Sequence, residues 1–229
     1  MDEAKPKWQR AATNLGLQSQ AGEISMILPM GSAPLIDGTR LLHTFDEWTV
    51  RWHQSRVAPK PADGFDTMIE ELHHANFELW HQEDKARDVH SGDAAIAAAK
   101  RAIDSINQRR NNQIERCDEV LLEALSAERL PNSQAELHSE TPGMMLDRLS
   151  ILSLKLFHTR EETERSPSPP GHRERNLRRL AILETQRTDL ASCLDRLWQR
   201  VLRGEWRFQV YRQLKMYNDP DLNPVLYDK

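Results

Sequence analysis

Cysteine, glycine and long apolar runs are all scarce in this chain. Two cysteines in 229 residues rule out a disulfide-stapled scaffold. Nine glycines leave no Gly-rich loop of the kind that cradles phosphates, and the turn at Gly31 lacks the second glycine a nucleophile elbow needs. No stretch of 18 consecutive apolar residues occurs, so no membrane-spanning helix and no membrane partner are expected. The amino terminus lacks the charged-then-apolar pattern of an export signal, and a cytoplasmic protein is the expectation. Cys117 and Cys193 both fall in helical stripes, which predicts reduced core thiols. A net charge of -4 argues against general nucleic-acid binding.

What is present is charge, 29% of the residues, on long stretches without strand-type alternation, and this predicts an all-α protein. The expected fold is a bundle of about five long helices in a single domain, residues 38–229, preceded by an irregular N-terminal arm, residues 1–37, rich in Gly and Pro. The organising stretch is Glu140 to His158, where Thr141 caps, Pro142 suits the first helical position, and apolar residues occupy nearly every side. Such a helix must be covered almost all round. A homodimer is compatible with helices this long and apolar.

Several helices carry polar groups on the face that should point inward. The helix from about Asp63 to Asp88 begins with Phe65, Ile69 and Leu72 and continues the same stripe through Asn76, Leu79 or Trp80, Glu83 and Arg87. The next, from about Ser91 or Asp93 to Leu125, places Arg110 on its apolar face, with Asn107 and Asn111 beside it. The central helix adds Asp147, Arg148, Lys155 and His158, and Arg187 falls within the leucine stripe of the helix from Glu174 to Leu202. Buried charges need partners, so these groups are expected either to line a ligand pocket or to form a register-fixing network.

The pocket reading assigns ligand binding to Asn76, Trp80, Arg87, Asn107, Arg110, Asn111, Asp147, Arg148 and Lys155. Tyr211, Arg212 and Lys215 join them from a short helix expected in the tail. Guanidinium and amide groups suit a carboxylate or phosphate, and the aromatic rings suit a flat ring. His81, Asp84 and His158 are the candidate catalytic acid–base groups near neutral pH. Glu71 with His74 and Glu78 with His81 have the Glu-x-x-His spacing of di-iron bundles, but the central helix offers no second copy. With neither a His-Glu-x-x-His pair nor a Cys-x-x-Cys, no metal and no cofactor is expected.

Four blocks, ANFELWHQEDKARD, INQRRNNQIERCDE, SETPGMMLDRLSILSLKLFH and FQVYRQLKMYNDPDLNPVLY, together resemble the bacterial domain-of-unknown-function family 4254 over about residues 40–227. The resemblance implies a helical protein whose relatives are encoded among genes for glycosyl transfer, surface polysaccharide or specialised metabolites. It carries no catalytic role. The functional expectation is therefore a small-molecule enzyme or binding protein for an anionic metabolite in a biosynthetic pathway. The alternative is a non-catalytic accessory protein docking on a pathway enzyme through the N-terminal arm or through the basic segment Arg165 to Lys215, where twelve Lys or Arg face five Asp or Glu.

Overall fold

The computed structural model describes residues 36–55, 59, 64–214 and 221–224, so the expected N-terminal arm lies almost entirely outside the described residues. Five helices carry the architecture: α1 (Gly38–Ser55), α2 (Phe65–Ala86), α3 (Asp93–Ser126), α4 (Pro142–Glu164) and α5 (His172–Leu202). Two short strands, β1 (Glu136–Leu137) and β2 (Trp206–Arg207), pair in parallel and tie the α3–α4 connection to the segment after α5. None of these helices is long and apolar enough to cross a membrane.

Side-chain pairs fix the direction of each helix. Glu71 meets Gln113 and Glu78 meets Arg109, so α3 runs back along α2. In the same way Ser153 meets Arg187 and Arg160 meets Glu184, so α5 runs back along α4. The amide of Gly38 donates to Asp195 and Asp46 accepts from Arg187, which sets α1 antiparallel to α5. By contrast Thr49 meets His73 and His53 meets His81 between α1 and α2, while Asn76 meets Ser150 and His81 meets His158 between α2 and α4. Helices α1, α2 and α4 therefore point the same way, and their carboxyl ends gather at one end of the bundle.

Helix α4 is enclosed as its composition predicts, with Met145, Leu146, Leu149, Leu154 and Leu156 buried. Its start is built from α3. Asp118 accepts from the Thr141 hydroxyl and from the Gly143 amide at 2.7 Å, while Thr141 Oγ1 caps the helix by accepting from the amide of Met144 at 3.2 Å. Gly143 is required by approach rather than by its backbone angles: a Cβ there would stand 2.5 Å from the Ile114 carbonyl oxygen of α3. Arg187 is buried as its stripe position predicts, and it joins Asp46 of α1 at 2.6 Å to Ser153 of α4 at 3.2 Å.

Three expectations are corrected. Cys117 is buried, but Cys193 is exposed, because the buried stripe of α5 runs through Leu190, Leu194, Leu197 and Val201 and passes beside it. Leu177, expected on the inward stripe of α5, is also exposed, and the neighbouring Asn176 takes the buried position instead. The expected tail helix is absent around Tyr211 and Arg212: residues 208–214 carry no helix, and Arg212 is held instead by Glu115 and Glu119 of α3.

Candidate functional site

Two polar layers cross the bundle. In the first, Arg110 donates Nε to Asp147 Oδ1 and Nη2 to Asp147 Oδ2, both at 2.7 Å. Asn76 donates to Asp147 Oδ1 at 2.9 Å and to Ser150 Oγ at 3.0 Å, and Ser150 lies 2.7 Å from Nδ1 of His73. On the far side of its ring, His73 Nε2 faces Thr49 Oγ1 at 2.9 Å and the Phe45 carbonyl at 3.2 Å. The chain of bonds thus runs from α3 through α4 and α2 to α1. Burial holds His73 neutral, with its pKa lowered to about 3, the Phe45 carbonyl opposing this and neighbouring His74 adding to it. Paired with Asp147, the Arg110 guanidinium is held more firmly protonated than usual.

The sequence reading placed Asn76, Asn107, Arg110 and Asp147 together, and so does the structure, with Asn107 accepting from Arg110 at 3.3 Å. They satisfy one another. Asn111 is half-buried on the same helix. The other candidates lie apart: Arg148 is exposed and pairs with Glu140, Arg87 is exposed and pairs with Glu83, and Asp84 is exposed. Lys155 is exposed, one turn before His158. Arg212 sits over the carboxyl half of α3, Tyr211 accepts from the side chain of Gln209 at 3.5 Å, and Lys215 lies outside the described residues.

The second layer lies at the shared carboxyl end of α1, α2 and α4. His53, His81 and His158 each bring one ring nitrogen into a group in which all three atoms lie within 4.8 Å of one another. The rings are steeply inclined to each other, at 70° for His53 and His158, 73° for His53 and His81, and 88° for His81 and His158. Aromatic side chains wall the group. Phe157 stacks on His53 with centroids 4.3 Å apart, Phe77 presents an edge to His81 at 4.6 Å, and Trp80 lies face to face with His158 at 4.6 Å and 10°.

Hydrogen bonds at the back of two rings set their tautomers. The Nδ1 of His53 lies 2.7 Å from the Thr49 carbonyl, which can only accept, so Nδ1 carries the hydrogen. Burial lowers the pKa of His53 to about 3 against the pull of that carbonyl, with His158 and His81 lowering it further, so at neutral pH its Nε2 bears a lone pair. His158 Nδ1 lies 2.7 Å from the Glu161 carboxylate, and in the neutral ring this too assigns the lone pair to Nε2. Buried Nε2 of His158 and Oε1 of Glu161 have no hydrogen-bond partner among the described residues. Leaving a buried polar atom unmatched costs about 1–3 kcal/mol, so an apolar pair would serve packing alone better.

Of this layer, His81, His158 and Trp80 were legible as candidates, whereas His53 and Glu161 were not. Glu161 does carry a local signal, standing one helical turn after His158. His53 carries none beyond its place next to the buried Trp52.

No curated protein and no solved structure matches the chain. A family model described as "Protein of unknown function (DUF4254)" matches residues 66–210, which includes α2 through α5 and two of the three histidines but leaves α1 and His53 outside. The chain belongs to the domain-of-unknown-function 4254 family.

Proposed function

We propose that the protein is a small-molecule enzyme or binding protein for an anionic metabolite of a biosynthetic pathway, and that it works at the histidine end of the bundle rather than at the Arg110 layer. The observation that carries this reading is the buried, unmatched Nε2 of His158, backed by the Glu161 carboxylate and set against the face of Trp80. An imidazole held in one orientation by a carboxylate suits proton transfer or electron-pair donation to a ligand. Lys155, one turn earlier on α4, makes no ion pair among the described residues and stands on the same side of the helix as His158. It suits the carboxylate or phosphate of that ligand. The Arg110 layer is the poorer candidate because its charges are spent on each other.

A thermal-shift screen against carboxylic acids, nucleotides and sugar nucleotides tests the reading, since a ligand that binds only the folded state raises the melting temperature by mass action. Lys155→Ala and His158→Ala, each shown to be folded by circular dichroism, should abolish the shift, and Arg148→Ala should keep it. A shift that survives both substitutions, or no shift at millimolar ligand, overturns it.

A second reading is favoured by the exposed Leu177 and Ile182 of α5, which stand among exposed Arg178 and Arg179. Exposed apolar side chains beside basic ones suit docking on an acidic face of a pathway enzyme, as an accessory protein would. Charge reversal at Arg178 and Arg179 should then break that complex without changing the melting temperature.

A further inference from the structure

We propose that His53, His81 and His158 together bind one divalent transition-metal ion of the zinc type, with a fourth coordination position left for water or an anionic ligand group. Three neutral imidazoles without a thiolate form a donor set that suits zinc, cobalt, nickel, copper and iron rather than magnesium or calcium. The tautomers at His53 and His158 leave Nε2 of each ring as the coordinating atom, with Nδ1 engaged behind it by a carbonyl and a carboxylate. That is the arrangement by which outer groups orient metal-bound histidines and raise their basicity.

The geometry is close to what coordination needs. A tetrahedral ion with metal–nitrogen bonds of roughly 2.0–2.1 Å sets its nitrogens about 3.3 Å apart, against separations of up to 4.8 Å in the ion-free group. Closing by up to about 1.5 Å lies within rotations of the three side chains, and the steep inclination of the rings already aims them from different directions. The shell of Phe77, Trp80 and Phe157 keeps the surroundings apolar, which strengthens an ion's hold on its ligands. Parallel α1, α2 and α4 also point the negative ends of three helix dipoles toward this end of the bundle, a setting that favours a cation. With three protein ligands rather than four, the site is of the open type that accepts a further group.

The proposal adds an ion to the site assigned above, and it is tested without any metabolite present, so either reading can fail alone. The full chain, stripped with a chelator and dialysed, is titrated with Zn2+ by calorimetry and with Co2+ by visible absorption. One ion per chain is expected, with the intense d–d bands of low-coordinate Co2+ and no thiolate charge-transfer band. His81→Ala and His158→Ala should each weaken Zn2+ binding by at least about a hundredfold, and Glu161→Gln by about 10- to 100-fold through His158. His90→Ala, at an exposed histidine, should leave it unchanged. The weak spectrum of six-coordinate Co2+, absent uptake, or Zn2+ affinity unaltered in folded His81→Ala and His158→Ala overturns the proposal. Should a substitution unfold the chain, the Co2+ spectrum of the unaltered protein still decides.

Discussion

Arg110 and Asp147 meet in a two-pronged ion pair, Nε to Oδ1 and Nη2 to Oδ2, with the Asp147 side chain only 6% exposed. A pair so placed has given up most of its water, and each charge depends on the other. Arg110→Met should therefore destabilise the protein by about 3 kcal/mol in urea unfolding, because it strands the carboxylate. Adding Asp147→Leu should recover much of that loss. Equal destabilisation in the single and double variants would mean that the pair does more than neutralise itself.

His73 gives the fold an acid-sensitive element. Its pKa falls to about 3 in the folded state against about 6.5 when unfolded, so its contribution is complete above pH 6.5 and drains away as pH falls toward 3. Between pH 6.5 and 5 this amounts to about 2 kcal/mol. The urea midpoint of the wild type should drop over that interval, and His73→Gln should show a shallower drop even where its stability at pH 7 is lower.

Asp118 acts in the opposite sense. Burial raises its pKa to about 6, against the Thr141 hydroxyl and Gly143 amide that favour the charged form, with Glu115 adding to the rise. A carboxyl whose folded pKa exceeds its unfolded value stabilises below about pH 4, and that stability is lost as pH rises through 6. Asp118→Asn keeps an acceptor for the Gly143 amide while removing the charge. It should be more stable than the wild type at pH 7.5, by up to about 3 kcal/mol, and this advantage should shrink at pH 4.5.

At Gly143 the close approach of α4 to α3 leaves no room for a methyl group. Gly143→Ala should cost about 1–3 kcal/mol despite the higher helix propensity of alanine, since the added carbon must push back a carbonyl rather than a flexible side chain. Thermal unfolding measures it directly, and a neutral or positive shift would show that the two helices can slide apart without loss.

Helix boundaries were legible because the helices repeat their apolar residues at 3.6-residue spacing over four turns or more, and the structure places the ends of α2, α3 and α5 within three residues of that reading, while α4 continues six residues past His158 to Glu164. The convergence of Asn76, Arg110 and Asp147 was legible for the same reason, as polar interruptions of three buried stripes. Arg148 was drawn in by sharing the spacing of Lys155 and His158, but it stands two turns before Lys155 on α4, exposed and paired with Glu140. The histidine group was only half visible. Its members stand on three helices, and no spacing along the chain relates them; only the parallel course of α1, α2 and α4 does.

That parallel course has a consequence for assembly. The two antiparallel hairpins, α2–α3 and α4–α5, each bring a single histidine, and α1 brings the third, so no locally folded unit holds two of them. Imidazole convergence at this end is accordingly a property of the finished tertiary structure. Any probe that senses all three rings at once reports the docking of both hairpins and α1, and it will be silent on a chain that has formed its helices but not yet packed them.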